Sequence, residues 1–96
     1  MLFVIIGWDK PGQGQTRLDT RPAHLAYLAT VKDQLKLAGP FLAADNQTAI
    51  GSLMIYECAD EAEARAIMES DPFSKAGLFA SLDIKPWRQG AGTPLG

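Results

Sequence analysis

Apolar and polar positions along this chain repeat with two different spacings, close to two residues in some stretches and close to 3.6 in others, and the switches between them outline the elements. Residues 2–8 open with an apolar run rich in β-branched side chains that reaches Gly7 and Trp8, the pattern of a strand buried on both faces. Residues 10–20 carry Pro11, Gly12 and Gly14 among polar side chains and read as a loop. From Arg21 the spacing becomes helical: His24, Tyr27, Leu28, Val31, Leu35 and Ala38 share one broad face. Thr20 or Asp19 is available as the cap, and Pro22 is tolerable in a first turn, where its missing N–H is no loss. Gly39 followed by Pro40 predicts the end of this helix.

Residues 41–44 predict a short strand, 45–51 a turn-bearing loop, and 52–58 a further strand with Leu53 and Ile55 on one face and Met54, Tyr56 and Cys58 on the other. Asp60 caps a second helix, Glu63 completes a variant of the capping box, and Ala64, Ile67 and Met68 supply the buried side. Asp71 before Pro72 interrupts this helix, because a residue preceding proline is biased out of the helical region. Residues 73–77 predict one more turn and 79–85 a last strand. The order β-α-β-β-α-β predicts an α+β domain of the ferredoxin-like, split β-α-β kind with an antiparallel sheet. Two helices cover one face of such a sheet, yet its first and third strands are apolar on both, so a homodimer is expected to cover the other face. Residues 1–88 make up the domain, and residues 89–96 read as a C-terminal tail or a small arm across the dimer.

Composition narrows the function. At 47% hydrophobic and 21% charged, the chain of 96 residues is an ordinary globular domain with a single core. The formal charge is -2 and the basic residues are scattered, which argues against a nucleic-acid surface. The longest apolar stretch, residues 2–6, falls far short of the roughly 20 residues that span a bilayer, and no basic region precedes it, so a cytoplasmic protein without a membrane partner is expected. A single cysteine, Cys58, excludes an intrachain disulfide, and one histidine leaves no His/Cys cluster for zinc. Gly12 and Gly14 lack the third glycine of a dinucleotide loop and the glycine-lysine pair of a phosphate loop. Neither cofactor nor metal is expected.

His24 is the only side chain whose unperturbed pKa lies near neutrality, and on the core-facing stripe it would set a proton-transfer group beside apolar walls. The plainer reading is a packed histidine bonded to a backbone carbonyl. Asp71 leaves the second helix on its inward side and would fix the tautomer of His24, although an aspartate before proline also serves as an N-cap. Arg21 is a candidate for an anionic substrate group or a solvated surface arginine. Ser52 is a candidate pocket donor or a turn residue after Gly51. Trp8 is the candidate wall of a pocket, with packing as the alternative for it as for Cys58 and Trp87.

Taken together, Leu2-Phe3-Val4-Ile5-Ile6, Arg21-Pro22-Ala23-His24-Leu25, Ala38-Gly39-Pro40, Gly51-Ser52, Asp71-Pro72-Phe73 and Ile84-Lys85-Pro86-Trp87 resemble the YciI-like (YCII-related) family over nearly the whole chain. That resemblance implies a dimeric α/β barrel, in which two ferredoxin-like units set their sheets face to face. It also implies an active-site pair at His24 and Asp71. Relatives of the fold remove hydrogen chloride from a chlorinated hydroxyhydroquinone or isomerise lactones. The leading expectation is therefore a cofactor-independent lyase or isomerase that uses a His-Asp pair on a small cyclic or carbonyl-bearing metabolite. A non-enzymatic dimer that binds a small molecule or regulates a partner is the alternative, and a haem or flavin oxygenase a third.

Overall fold

The computed structural model describes residues 1–95. Strand β1 (Leu2–Asp9) is followed by helix α1 (Gly14–Thr30), strands β2 (Leu35–Leu42) and β3 (Ala49–Glu57), helices α2 (Glu61–Ser70) and α3 (Pro72–Lys75), and strand β4 (Phe79–Trp87). The strands form one antiparallel sheet in the order β2-β3-β1-β4, which is the ferredoxin-like arrangement. Ile5 pairs with Met54 on one side and Ile84 on the other, so these residues share the face that the helices cover. Phe3, Ile5, Met54, Tyr56 and Ile84 from the sheet meet Leu28 of α1 and Ala64, Ile67 and Met68 of α2 in the core. A hydrogen bond of 2.7 Å from the Tyr27 hydroxyl to the Ile67 carbonyl ties α1 to α2.

Two elements differ from the reading of the sequence. Helix α1 begins at Gly14 rather than Arg21, with Gln13 as a cap whose side chain accepts from the Thr16 hydroxyl and not from a helix N–H, and it ends at Thr30. The supposed loop is thus largely helix, Pro22 lies inside the helix, and His24 sits well beyond its first turn. The apolar spacing is silent there because Arg17, the inward residue of the early turns, is charged. Residues 35–42 are not the helix end but strand β2, which takes in Ala38, Gly39 and Pro40. As an edge strand β2 has one unpaired side, where a proline without an N–H costs no ladder bond.

The other elements agree within a residue or three at their ends. The Asp60 carboxylate accepts from the Glu63 N–H at 2.9 Å, and the Glu63 carboxylate accepts from the Ala59 N–H at 3.0 Å, a capping box shifted by one position. Past β4 the Gln89 amide donates to the carbonyls of Ala91 and Thr93 and accepts from the Leu95 N–H, which gathers the tail into a turn. Among the described residues, no helix is long and apolar enough to cross a membrane.

Candidate active site

Between α1 and the β2-β3 side of the sheet lies a cavity of about 540 Å³, walled by His24 and Leu28 of α1, Pro40 of β2, Ser52 and Met54 of β3, and Phe73 of α3. Its chemistry is concentrated in two buried polar pairs. In the first, His24 Nδ1 lies 2.9 Å from Oδ1 and 3.0 Å from Oδ2 of Asp71. Asp71 is fully buried, and its Oδ1 also accepts from the Phe73 N–H at 2.9 Å. The same carboxylate therefore caps α3 and holds the imidazole. A carboxylate can only accept, so Nδ1 carries a hydrogen, and whenever the imidazole is neutral its lone pair lies on Nε2. The imidazole stacks on the Phe73 ring with centroids 4.0 Å apart and planes at 15°, which fixes the remaining rotation of the histidine.

Phe73 is itself held from below. Its ring meets Phe79 edge to face at 6.3 Å, and Phe79 lies so close over Gly7 that a Cβ there would fall 2.8 Å from the ring. Strand β1 thus supports the imidazole through two aromatic residues in succession, and glycine at position 7 leaves them room.

The second pair is absent from the reading of the sequence. Arg17, 7% exposed, donates from Nε to Asp9 Oδ2 at 2.7 Å, and from Nη2 to Asp9 Oδ1 and to Ser52 Oγ, both at 2.8 Å. Its guanidinium carbon lies 4.8 Å from the centroid of Phe73. Arg17 precedes His24 by seven positions and Leu28 by eleven, a helical spacing that would have revealed it had residues 10–20 not been read as a loop. Of the candidates for ligand contact, Ser52 lines the cavity, and Arg21 lies at its rim with an exposed side chain. Trp8 does not line it. It is 42% exposed, points to the other face of the sheet and stacks on Phe41 at 4.5 Å.

Around Asp71 two phenols stay protonated well into alkali. Burial first, and then the Asp71 charge, raises the pKa of Tyr27 and, more strongly, of Tyr56. Burial and the neighbouring glutamates push the Cys58 thiol up to about 11, which suits a packing residue and not a nucleophile. Among the described residues, no three His, Cys, Asp or Glu side chains gather where a metal ion would be held.

An antiparallel β2-β3-β1-β4 sheet with its helices on one face, and a His-Asp pair at the wall of a cavity beneath them, define a ferredoxin-like α+β protein with a site sized for a small molecule. The chain belongs to the YCII-related domain family, whose model matches residues 1–88. It is 35% identical over 96 residues to Protein YciI of Escherichia coli, covering 93% of this chain and 98% of the relative. Among solved structures it is similar to 5-chloro-2-hydroxyhydroquinone dehydrochlorinase of Burkholderia phenoliruptrix in complex with 2,5-dihydroxybenzoquinone, with 41% identity, 94% and 96% of the two chains covered and a TM-score of 0.88. A putative antibiotic biosynthesis monooxygenase from Chloroflexus aurantiacus, at 16% identity, full coverage of both chains and a TM-score of 0.54, shares the fold alone.

Proposed function

We propose that this protein is a cofactor-independent lyase that eliminates a leaving group from a small hydroxylated ring, with His24 moving the proton and Asp71 orienting His24. The observation that carries this reading is the contact of His24 Nδ1 with both oxygens of Asp71 at the wall of a cavity of about 540 Å³. The likeness to a dehydrochlorinase supports it.

The balance for a chlorinated hydroxyhydroquinone is simple. His24 Nε2 takes one hydroxyl proton and returns it to the ring carbon that bears chlorine, giving the keto tautomer. A second hydroxyl proton is then withdrawn as its O–H becomes a carbonyl and chloride leaves with the electron pair of the C–Cl bond. The products are a hydroxyquinone and hydrogen chloride, and the sum requires no electron acceptor. Apolar walls strengthen the Asp71 partnership that stabilises the imidazolium formed at each proton removal.

The pairing of two subunits is part of the same reading. Val4, Ile6, Leu53, Leu37 and Trp8 lie on the sheet face opposite the helices, and a second copy would cover them. Cytoplasmic placement goes with this.

Chloride release from 5-chloro-2-hydroxyhydroquinone, followed together with quinone absorbance, tests the function. Wild-type protein is expected to accelerate release, and His24→Ala to lose roughly 10²- to 10⁴-fold while circular dichroism stays unchanged. Equal rates with wild-type and His24→Ala protein would reject the role of His24, and binding without any turnover would favour a non-enzymatic binding protein.

A further inference from the structure

The cavity is larger than the ring proposed to react in it. At about 540 Å³ it falls within the roughly 300–1,000 Å³ of sites that enclose a drug-sized molecule. One six-membered ring with its small substituents, set against His24, leaves much of that space unfilled. The remainder has an apolar lining that the chain itself does not bury. Leu18 and Leu25 of α1 and Leu42 of β2 line it, yet they stay 65%, 45% and 48% exposed. A lone leucine on a surface needs no explanation, whereas three that face one cavity from two elements form a patch with a use. Helix α1 carries two neighbouring stripes, an inner one of buried Arg17, His24 and Leu28 and an outer one of Leu18, Arg21 and Leu25. Leu25 follows His24 directly, and Leu18 lies seven residues back, about 10 Å along the helix. The apolar strip therefore leads from the imidazole toward the start of α1. Among the described residues that line the cavity none is a carboxylate, and the permanent charges are those of Arg17 and Arg21.

We propose that the substrate is a hydroxylated ring carrying an uncharged alkyl chain, which lies along Leu18 and Leu25 with Leu42 against its other side, so that these three leucines set the specificity. The placement of the ring at His24 rests on the function proposed above; the leucine strip does not. Each methylene laid on the strip removes apolar surface of both chain and leucine from water, and this rewards length. A positively charged chain end gains nothing there, because it leaves water for apolar walls and arginines and meets no carboxylate. A second copy of this protein is the other occupant to consider. The strip, however, opens into the cavity on the helix side of the sheet, whereas the face left for a partner, with Trp8 and Leu37, is the opposite one. A chain attached to the reacting ring reaches the leucines without leaving the cavity.

The probes are 4-alkylphenols, with affinity measured by isothermal titration calorimetry. On wild-type protein each added methylene is expected to tighten binding about two- to fourfold, and 4-hexylphenol to bind more than about tenfold as tightly as 4-ethylphenol. Tyramine, in which an ammonium replaces the terminal methyl of 4-propylphenol, is expected to bind about tenfold or more weakly than 4-propylphenol. Leu18→Gln combined with Leu42→Gln, two changes at exposed positions, is expected to bring the gain from ethyl to hexyl down to about threefold or less. No gain with chain length on wild-type protein, the full gain in the leucine variant, or tyramine bound as tightly as 4-propylphenol would each overturn the proposal. A flat series on wild-type protein, joined to loss of the dimer in the leucine variant by light scattering, would overturn it in favour of a second copy. Failure of the lyase is a separate result. A gain with chain length but no chloride release from 5-chloro-2-hydroxyhydroquinone would overturn the lyase and leave the strip standing, and chloride release with a flat series would do the reverse.

Discussion

Asp71 answers to two neighbours at once, and substitutions separate them. Asparagine at position 71 keeps an oxygen for the Phe73 N–H but removes the charge that steadies a protonated His24. Asp71→Asn is therefore expected to cut turnover at least tenfold at little cost in stability, whereas Asp71→Ala, which also uncaps α3 and strands a buried imidazole, is expected to lose a further 1–3 kcal/mol or so in urea denaturation. The raised groups of the interior set the response to alkali. Cys58 rises from 9.0 to about 11 on folding, and Tyr27 and Tyr56 rise as well, so the unfolded chain releases these protons first. Below the ordinary thiol pKa their contribution is fully present, and it is lost as pH rises from about 9 through about 11. The urea midpoint is expected to fall across that window, with a shallower fall in Cys58→Ala. A midpoint independent of pH there would contradict the burial of these groups.

At the scale of elements, α1 is the least self-sufficient part of the fold. Pro22 denies the helix one internal hydrogen bond, to the Leu18 carbonyl, and a proline inside a helix costs about 3 kcal/mol relative to alanine. Pro22→Ala is expected to raise the melting temperature, since residue 22 is exposed and the new N–H finds that carbonyl waiting. A lowered melting temperature would mean that Pro22 is needed to seat Arg17 and His24 together. The opposite effect is expected of Gly7→Ala in β1. Its Cβ would meet the Phe79 ring at 2.8 Å, and the displacement passes through Phe73 to the imidazole. A loss of about 1–3 kcal/mol by thermal or chemical unfolding, accompanied by weaker ligand binding, is the expected outcome. Both elements show where the spacing of apolar residues misleads. The buried position of early α1 is Arg17, a charged residue, and Leu35 and Ala38 continue a helical spacing by coincidence while the backbone pairs with Tyr56 and Met54 of β3.

For the molecule as a whole, the unanswered demand comes from the sheet. Its helix-covered face is closed by Leu28, Ala64, Ile67 and Met68, but Trp8 and Leu37 on the other face remain 42% and 37% exposed. Light scattering on tag-free protein at low micromolar concentration is expected to give twice the mass of a 10.3 kDa chain. Leu53→Lys, at the centre of that face, is expected to shift the protein toward monomer. A wild-type monomer that stays folded there would remove the dimer from the proposal.

What the sequence determined by itself was the order of elements, the two-faced character of β1 and β3, the capping of α2 and the break at Asp71-Pro72, because each depends on neighbours a few residues apart. It also singled out His24 and Asp71 as the titratable pair, one from the stripe of α1 and the other from the end of α2. Only the tertiary structure decided that these two meet, since 47 residues separate them and their contact depends on how α3 packs under α1. The same holds for Arg17, whose partners Asp9 and Ser52 lie on β1 and β3 and mark it only once the sheet has brought them together. It holds for β2 as well. A strand at an edge is defined by the strand beside it, and local spacing carries no record of that neighbour.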